Sequence, residues 1–142
     1  MGWEDYHLHN FAFSANRTER PIIIGPEDED SMYEKLTEDE EILKDWLGKR
    51  FEKCRYSYDY GDDWDHIVVQ EKVLPAEPRV KYPCCIAGKR ACPPEDSGGL
   101  WGYYGKLEIM KDPKHEDYKD ILEWMGEDFD PEKFDPAAVV FR

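Results

Sequence analysis

The chain has no long apolar run, far fewer basic than acidic residues and no phosphate-binding fingerprint, and each shortage removes a class of function. No apolar stretch approaches the ~20 residues of a membrane-spanning helix. The opening segment, MGWEDYHLHN, lacks the basic start and apolar stretch of a secretory signal. A soluble, cytoplasmic protein is therefore expected. Lys and Arg number 19 against 33 Asp and Glu, a formal net charge of -14. That balance repels phosphate backbones and anionic membranes at long range, which argues against duplex nucleic acid and membranes as partners. Four cysteines without an export signal read as reduced thiols rather than a disulfide framework. The phosphate-loop lysine motif, the Gly-x-Ser-x-Gly elbow and the dinucleotide fingerprint are all missing. The chain also has no internal repeat.

What is present suits one globular domain spanning 1–142. At this size folding hides roughly two-thirds of the unfolded chain's surface, enough for one core. Apolar residues are 40% and aromatics 14% of the chain, which excludes disorder throughout. The charge is uneven. Glu27 to Glu41 holds nine acids and one lysine, so an acidic loop is expected at 25–36. Lys72 to Cys92 holds five bases against Glu77, so a small basic face on an acidic body is one reading. Three prolines mark 75–83 as a connector.

Alternation predicts strands at Leu8 to Ser14 and Cys54 to Tyr60, and runs of β-branched residues predict strands at Arg20 to Gly25 and Trp64 to Leu74. Gly61-Asp62-Asp63 makes the last two a hairpin. Cys84 to Cys92 reads as a second, tight hairpin turning at Gly88-Lys89, with Cys85 opposite Cys92. Thr37 to Leu47 reads as a helix with a Thr37/Glu40 capping box. Leu100 to Lys111 predicts a second helix, capped by Asp96 or Ser97 and burying Leu100. A third is expected after Asp112-Pro113 and should stop at Gly126. Strands first and helices later favour an α+β fold over βαβ alternation.

Four constellations carry chemistry. Asp59, Asp62, Asp63, Trp64, Asp65 and His66 crowd one turn. Close carboxylates raise one another's pKa, and with a histidine they suit a divalent ion; turns also collect Asp because it bonds its own backbone. His7 and His9 lie two residues apart, on one face if the segment is a strand, which is a metal half-site or an ordinary polar edge. Cys84, Cys85 and Cys92 read either as small buried hydrophobes or, for Cys85 with Cys92, as a zinc half-site or redox pair. Pro93 to Gly99 is a stiffened loop whose glycines permit close backbone approach, but Glu95 and Asp96 would compete with an anion there. Arg90 is expected to pair with Asp62 or Glu95.

Two spellings carry a resemblance. The first is Tyr58, Asp59, Tyr60, Gly61, Asp62, Trp64 and His66. The second is Cys85, Gly88, Arg90, Ala91, Pro93, Pro94, Glu95, Asp96, Gly98, Gly99, Gly102 and Tyr103. With Gly2, Trp3, His7, Leu8, His9 and Phe11 upstream and Asp130, Pro131 and Phe134 in the tail, the chain resembles the plasmid Ri open-reading-frame-three-like proteins. That family includes passenger proteins of insertion sequences. The resemblance implies a roll-like antiparallel sheet of four to six strands packed by three or more helices, these mainly C-terminal. It implies no particular reaction. Family members carry a further strand and helix before the Gly-Trp element, so a truncated start is expected here.

The expectation is a binding or accessory module whose functional surface is Asp59, Asp62, Asp63, Trp64, His66, Arg90, Glu95 and Asp96. Its partner would be another protein or a second copy. One rival is a metal-dependent hydrolase holding a divalent ion such as zinc with His7, His9, Asp62, Asp63 and His66. Another is single-stranded nucleic-acid binding through the aromatic residues and the bases between Lys72 and Arg90.

Overall fold

The structure, a computed structural model, describes residues 2–16, 18–27 and 35–141. Most of the acidic loop lies outside them. Contacts divide the chain into two compact units, His7–Pro75 and Met1–Tyr6 with Ala76–Arg142.

The first unit is a five-stranded sheet in the order β3-β2-β1-β4-β5. Its strands are β1 His9–Phe13, β2 Ile22–Gly25, β3 Leu36–Thr37, β4 Lys53–Tyr58 and β5 Trp64–Val69. The strands expected from Leu8, Arg20, Cys54 and Trp64 became β1, β2, β4 and β5, and the expected hairpin is β4–β5, with Tyr58 opposite Trp64. The sheet is mixed rather than antiparallel throughout, because β2 and β3 pair in parallel. A parallel pair needs a longer connection than a hairpin turn, and ten residues separate Gly25 from Leu36.

Register puts β1, β4 and β5 residues on a common face in rows. Tyr58 lies between His9 and Trp64, and Tyr56 lies between Phe11 and His66. One end of this face is the core: Phe13, Ile24, Trp46, Leu47 and Cys54 are buried, with Phe11, Ile22, Phe51 and Val68 packed against them. Phe13 meets the rings of Trp46 and Phe51 at 5.2 and 5.5 Å. Burial pushes the Cys54 thiol pKa up, as expected of a cysteine acting as a small hydrophobe. The other end carries His9, Tyr56, Tyr58, Trp64 and His66.

The helix expected over Thr37 to Leu47 is broken. Thr37 is drawn into β3 and makes no side-chain cap; a 3₁₀ turn occupies Glu38–Glu40, and the α-helix α1 is only Leu43–Trp46. Strand pairing at Leu36–Thr37 holds Thr37 extended, and Ile42, also extended, is exposed. Only Trp46 and Leu47 reach the core, and the Trp46 indole N–H donates to Glu41 Oε2 at 2.7 Å. Gly48, at φ 79°, then reverses the chain toward β4.

The second unit holds two helices, α2 Gly99–Met110 and α3 Tyr118–Met125. No strand lies between 76 and 98, so the Cys84–Cys92 hairpin does not form. Apart from Ile86, which is 90% exposed, that segment offers no β-branched residue to bury. Tertiary contacts hold it: the Ala91 N–H donates to Pro131 O at 2.9 Å, and the Phe134 ring packs onto Gly88. α3 begins at Tyr118 rather than Asp112, because the Asp112 carboxylate accepts from Lys114 N and closes its own turn. Gly126, at φ 93°, ends α3 as the sequence suggested. α2 buries Tyr103 but leaves Leu100 exposed. Among the described residues no helix is long and apolar enough to cross a membrane.

Candidate functional site

The hairpin turn of the first unit is built by its own aspartates. Asp59, buried at φ 57°, accepts at Oδ1 from Gly61 N at 2.9 Å and Asp62 N at 3.3 Å. Its N–H donates to Leu8 O at 2.9 Å, and the Asp63 N–H donates to Asp59 O at 2.6 Å. Asp63 sits at φ 55°, a conformation Asp tolerates better than most residues. Asp59 therefore does the backbone work expected of a turn aspartate.

Asp59 also has a second role, because its Oδ2 lies 3.7 Å from His7 Nε2. His7 precedes β1 rather than belonging to it, so the two histidines do not act as one alternating pair. His9 Nε2 is 3.0 Å from Glu38 Oε2, and its Nδ1 is 3.3 Å from His7 O. His66 Nδ1 is 3.2 Å from Tyr56 O. Tyr58 stands between the first two histidines, edge-on to His7 at 5.8 Å and stacked toward His9 at 6.4 Å. Tyr56 meets His66 at 5.8 Å. The rows thus place aromatic rings between the imidazoles. Asp65 projects from the opposite face, where its carboxylate accepts from Ser57 Oγ and lies 3.7 Å from Arg55. Glu38 is the residue that sequence reasoning missed: it lies 29 positions from His9, and no local pattern links them.

In the second unit, Pro93 to Gly99 is clamped. The Trp3 indole N–H donates to Pro93 O at 2.8 Å, and the Glu4 N–H donates to Glu95 Oε1 at 2.7 Å. Ser97 is fully buried; its hydroxyl donates to Pro94 O at 2.5 Å, and Lys106 Nζ donates to Ser97 O at 3.0 Å. Neither Asp96 nor Ser97 caps α2; the N-cap is Gly98 in the left-handed region at φ 82°. Asp96 itself lies at φ 55°. Gly102 lets the loop lie against the helix, for a Cβ there would sit 2.4 Å from Ser97 O.

Arg90, at φ 69°, pairs with Glu132 at 3.4 Å rather than with Glu95, the expected partner in its own unit. Cys85 donates its thiol to Ala87 O at 3.4 Å, and with no hairpin present it has no cross-strand register with Cys92. Burial pushes the Cys92 thiol up to about 11, with the Glu95 carboxylate adding to the shift, so it is neutral at pH 7. Burial also raises the Tyr103 hydroxyl, helped by the neighbouring Tyr104.

A mixed α+β sheet unit with a histidine–aromatic face, followed by a helical unit built on a clamped proline–glycine loop, defines the class. The family model described as plasmid pRiA4b ORF-3-like protein matches residues 1–138, and the chain belongs to that family. It is 33% identical to the uncharacterized protein y4hQ of Sinorhizobium fredii (strain NBRC 101917 / NGR234), over 99% of this chain and 68% of that protein. It is also similar to the crystal structure of a protein of unknown function, MM3350 from Methanosarcina mazei Go1. There the identity is 46% and the TM-score 0.85, covering 98% of this chain and 76% of the other.

Proposed function

We propose that this chain is a non-enzymatic binding or accessory module, and that its contact surface includes the histidine–aromatic end of the sheet. One observation carries this reading. The imidazoles and turn acids a hydrolase would use for an ion have different partners: His9 meets Glu38, His66 meets Tyr56 O, and Asp59 bonds its own turn and lies against His7. A largely half-buried face of aromatic rings and imidazoles suits recognition of a protein partner, where Tyr and Trp combine apolar area with hydrogen bonding. The family's plasmid association fits an accessory role, and that warrant is by analogy.

A metal-dependent hydrolase is the second reading. The 3.7 Å between His7 Nε2 and Asp59 Oδ2 is close to the separation of two ligands on one small divalent cation. The test is metal analysis of protein purified without chelator, with hydrolysis of a p-nitrophenyl phosphate ester before and after adding zinc or manganese. The binding reading predicts no stoichiometric metal and no turnover. Turnover that disappears in His7→Ala would replace it with the hydrolase.

A further inference from the structure

Away from the histidine face, the first unit contains a cleft of about 660 Å³ where β2, β3 and α1 meet. That volume lies within the range of small-molecule sites. Ile22, Leu36 and Trp46 give it apolar walls, and Arg20, Lys35 and Arg50 bring cationic groups to it in a strongly acidic protein.

Its two acids have other partners. Glu41 accepts from the Trp46 indole at 2.7 Å. Asp45 bonds Lys49 at 2.5 Å, and that ammonium holds the Asp45 carboxyl below the usual carboxylate range. Arg50 lies over the Trp46 ring, its Cζ 4.2 Å from the centroid, a cation–π contact that holds the guanidinium at the cleft wall. Among the described residues, neither Arg20 nor Arg50 has a carboxylate within ion-pair distance. Lining two such forks with apolar walls suits a ligand that is anionic at one end and apolar along its body.

We propose that this cleft binds a small organic anion, a carboxylate or phosphate monoester with an apolar body. Arg50 and Arg20 hold the charged end, and Ile22 and Leu36 meet the rest. A planar guanidinium takes carboxylate or phosphate oxygens two at a time, which gives orientation as well as attraction.

The experiment is calorimetric titration of the full chain with benzoate, phenyl phosphate and inorganic phosphate. Binding of phenyl phosphate or benzoate with Kd near or below about 1 mM is expected. It should weaken roughly tenfold in Arg20→Gln and again in Arg50→Gln, as lost charge-assisted bonds require. Arg50→Gln also removes the contact with Trp46, so Arg20→Gln, whose side chain is exposed, is the decisive variant if the other unfolds. Lys119→Gln, on α3, should bind as the parent does. Absence of binding by all three probes, or unchanged binding in Arg20→Gln, overturns the proposal. Equal affinity for inorganic phosphate and phenyl phosphate would also overturn it, leaving an adventitious ion only.

Discussion

Two segments that both read as hairpin turns behave differently. Residues 58–66 crowd four aspartates and three aromatic rings around Gly61, whereas residues 84–99 hold two acids, two prolines, three glycines and no aromatic. The first folds as a hairpin whose register runs unbroken from Lys53↔Val69 to Tyr58↔Trp64. The second forms no strand and is fixed by Trp3, Lys106, Pro131 and Phe134 from elsewhere in its unit. Alternation makes a strand when one face has something to bury. Cys54, Tyr56 and Val68 have that, whereas Ala87, Gly88 and Ala91 do not.

The contrast can be broken most severely at the core that sets the first segment. Phe13→Ala removes the ring between Trp46 and Phe51 and should cost about 3–5 kcal/mol, read by urea denaturation. A loss below about 1 kcal/mol would mean that the sheet does not depend on this cluster.

A smaller effect is expected in the second segment. Gly102→Ala forces a Cβ against the Ser97 carbonyl and should cost about 1–3 kcal/mol. A neutral or stabilising result would show that the loop does not lie on α2 as described. In an ordinary helix interior the same change would stabilise by up to about 1 kcal/mol, so the sign alone is informative.

The smallest effect is a pH dependence. The Cys92 thiol is raised from 9.0 to about 11 in the folded chain, so the folded state holds its proton more tightly than the unfolded one. Its contribution is fully present below pH 9 and is lost as pH rises from about 9 through 11. Discounted for partial exposure, the swing is about 1 kcal/mol. Cys92→Ala should flatten the decline in urea midpoint over that window. An equally steep decline in the variant would assign it to other groups, such as Tyr103.

Much of the fold was legible. The strands at Leu8, Arg20, Cys54 and Trp64, the turn at Gly61 and the stop at Gly126 follow from alternation, β-branched runs and turn chemistry. Local reading failed where a distant partner decided the outcome. Thr37 looked like a cap but pairs with Gly25 in β3. Asp112 looked like a helix start but closes its own turn. At the candidate site, the sequence pointed to the histidines and turn acids. It did not show that Glu38 would meet His9, or that Arg20 and Arg50 would share a cleft, because both depend on tertiary packing.

The most direct measurement is calorimetric titration of zinc into the chelator-treated full chain, parent beside His7→Ala and Asp59→Asn. The account predicts no stoichiometric site tighter than about 10 µM in any of the three. One equivalent bound by the parent and lost in both variants would contradict it, and would make the His7–Asp59 pair the core of a metal centre.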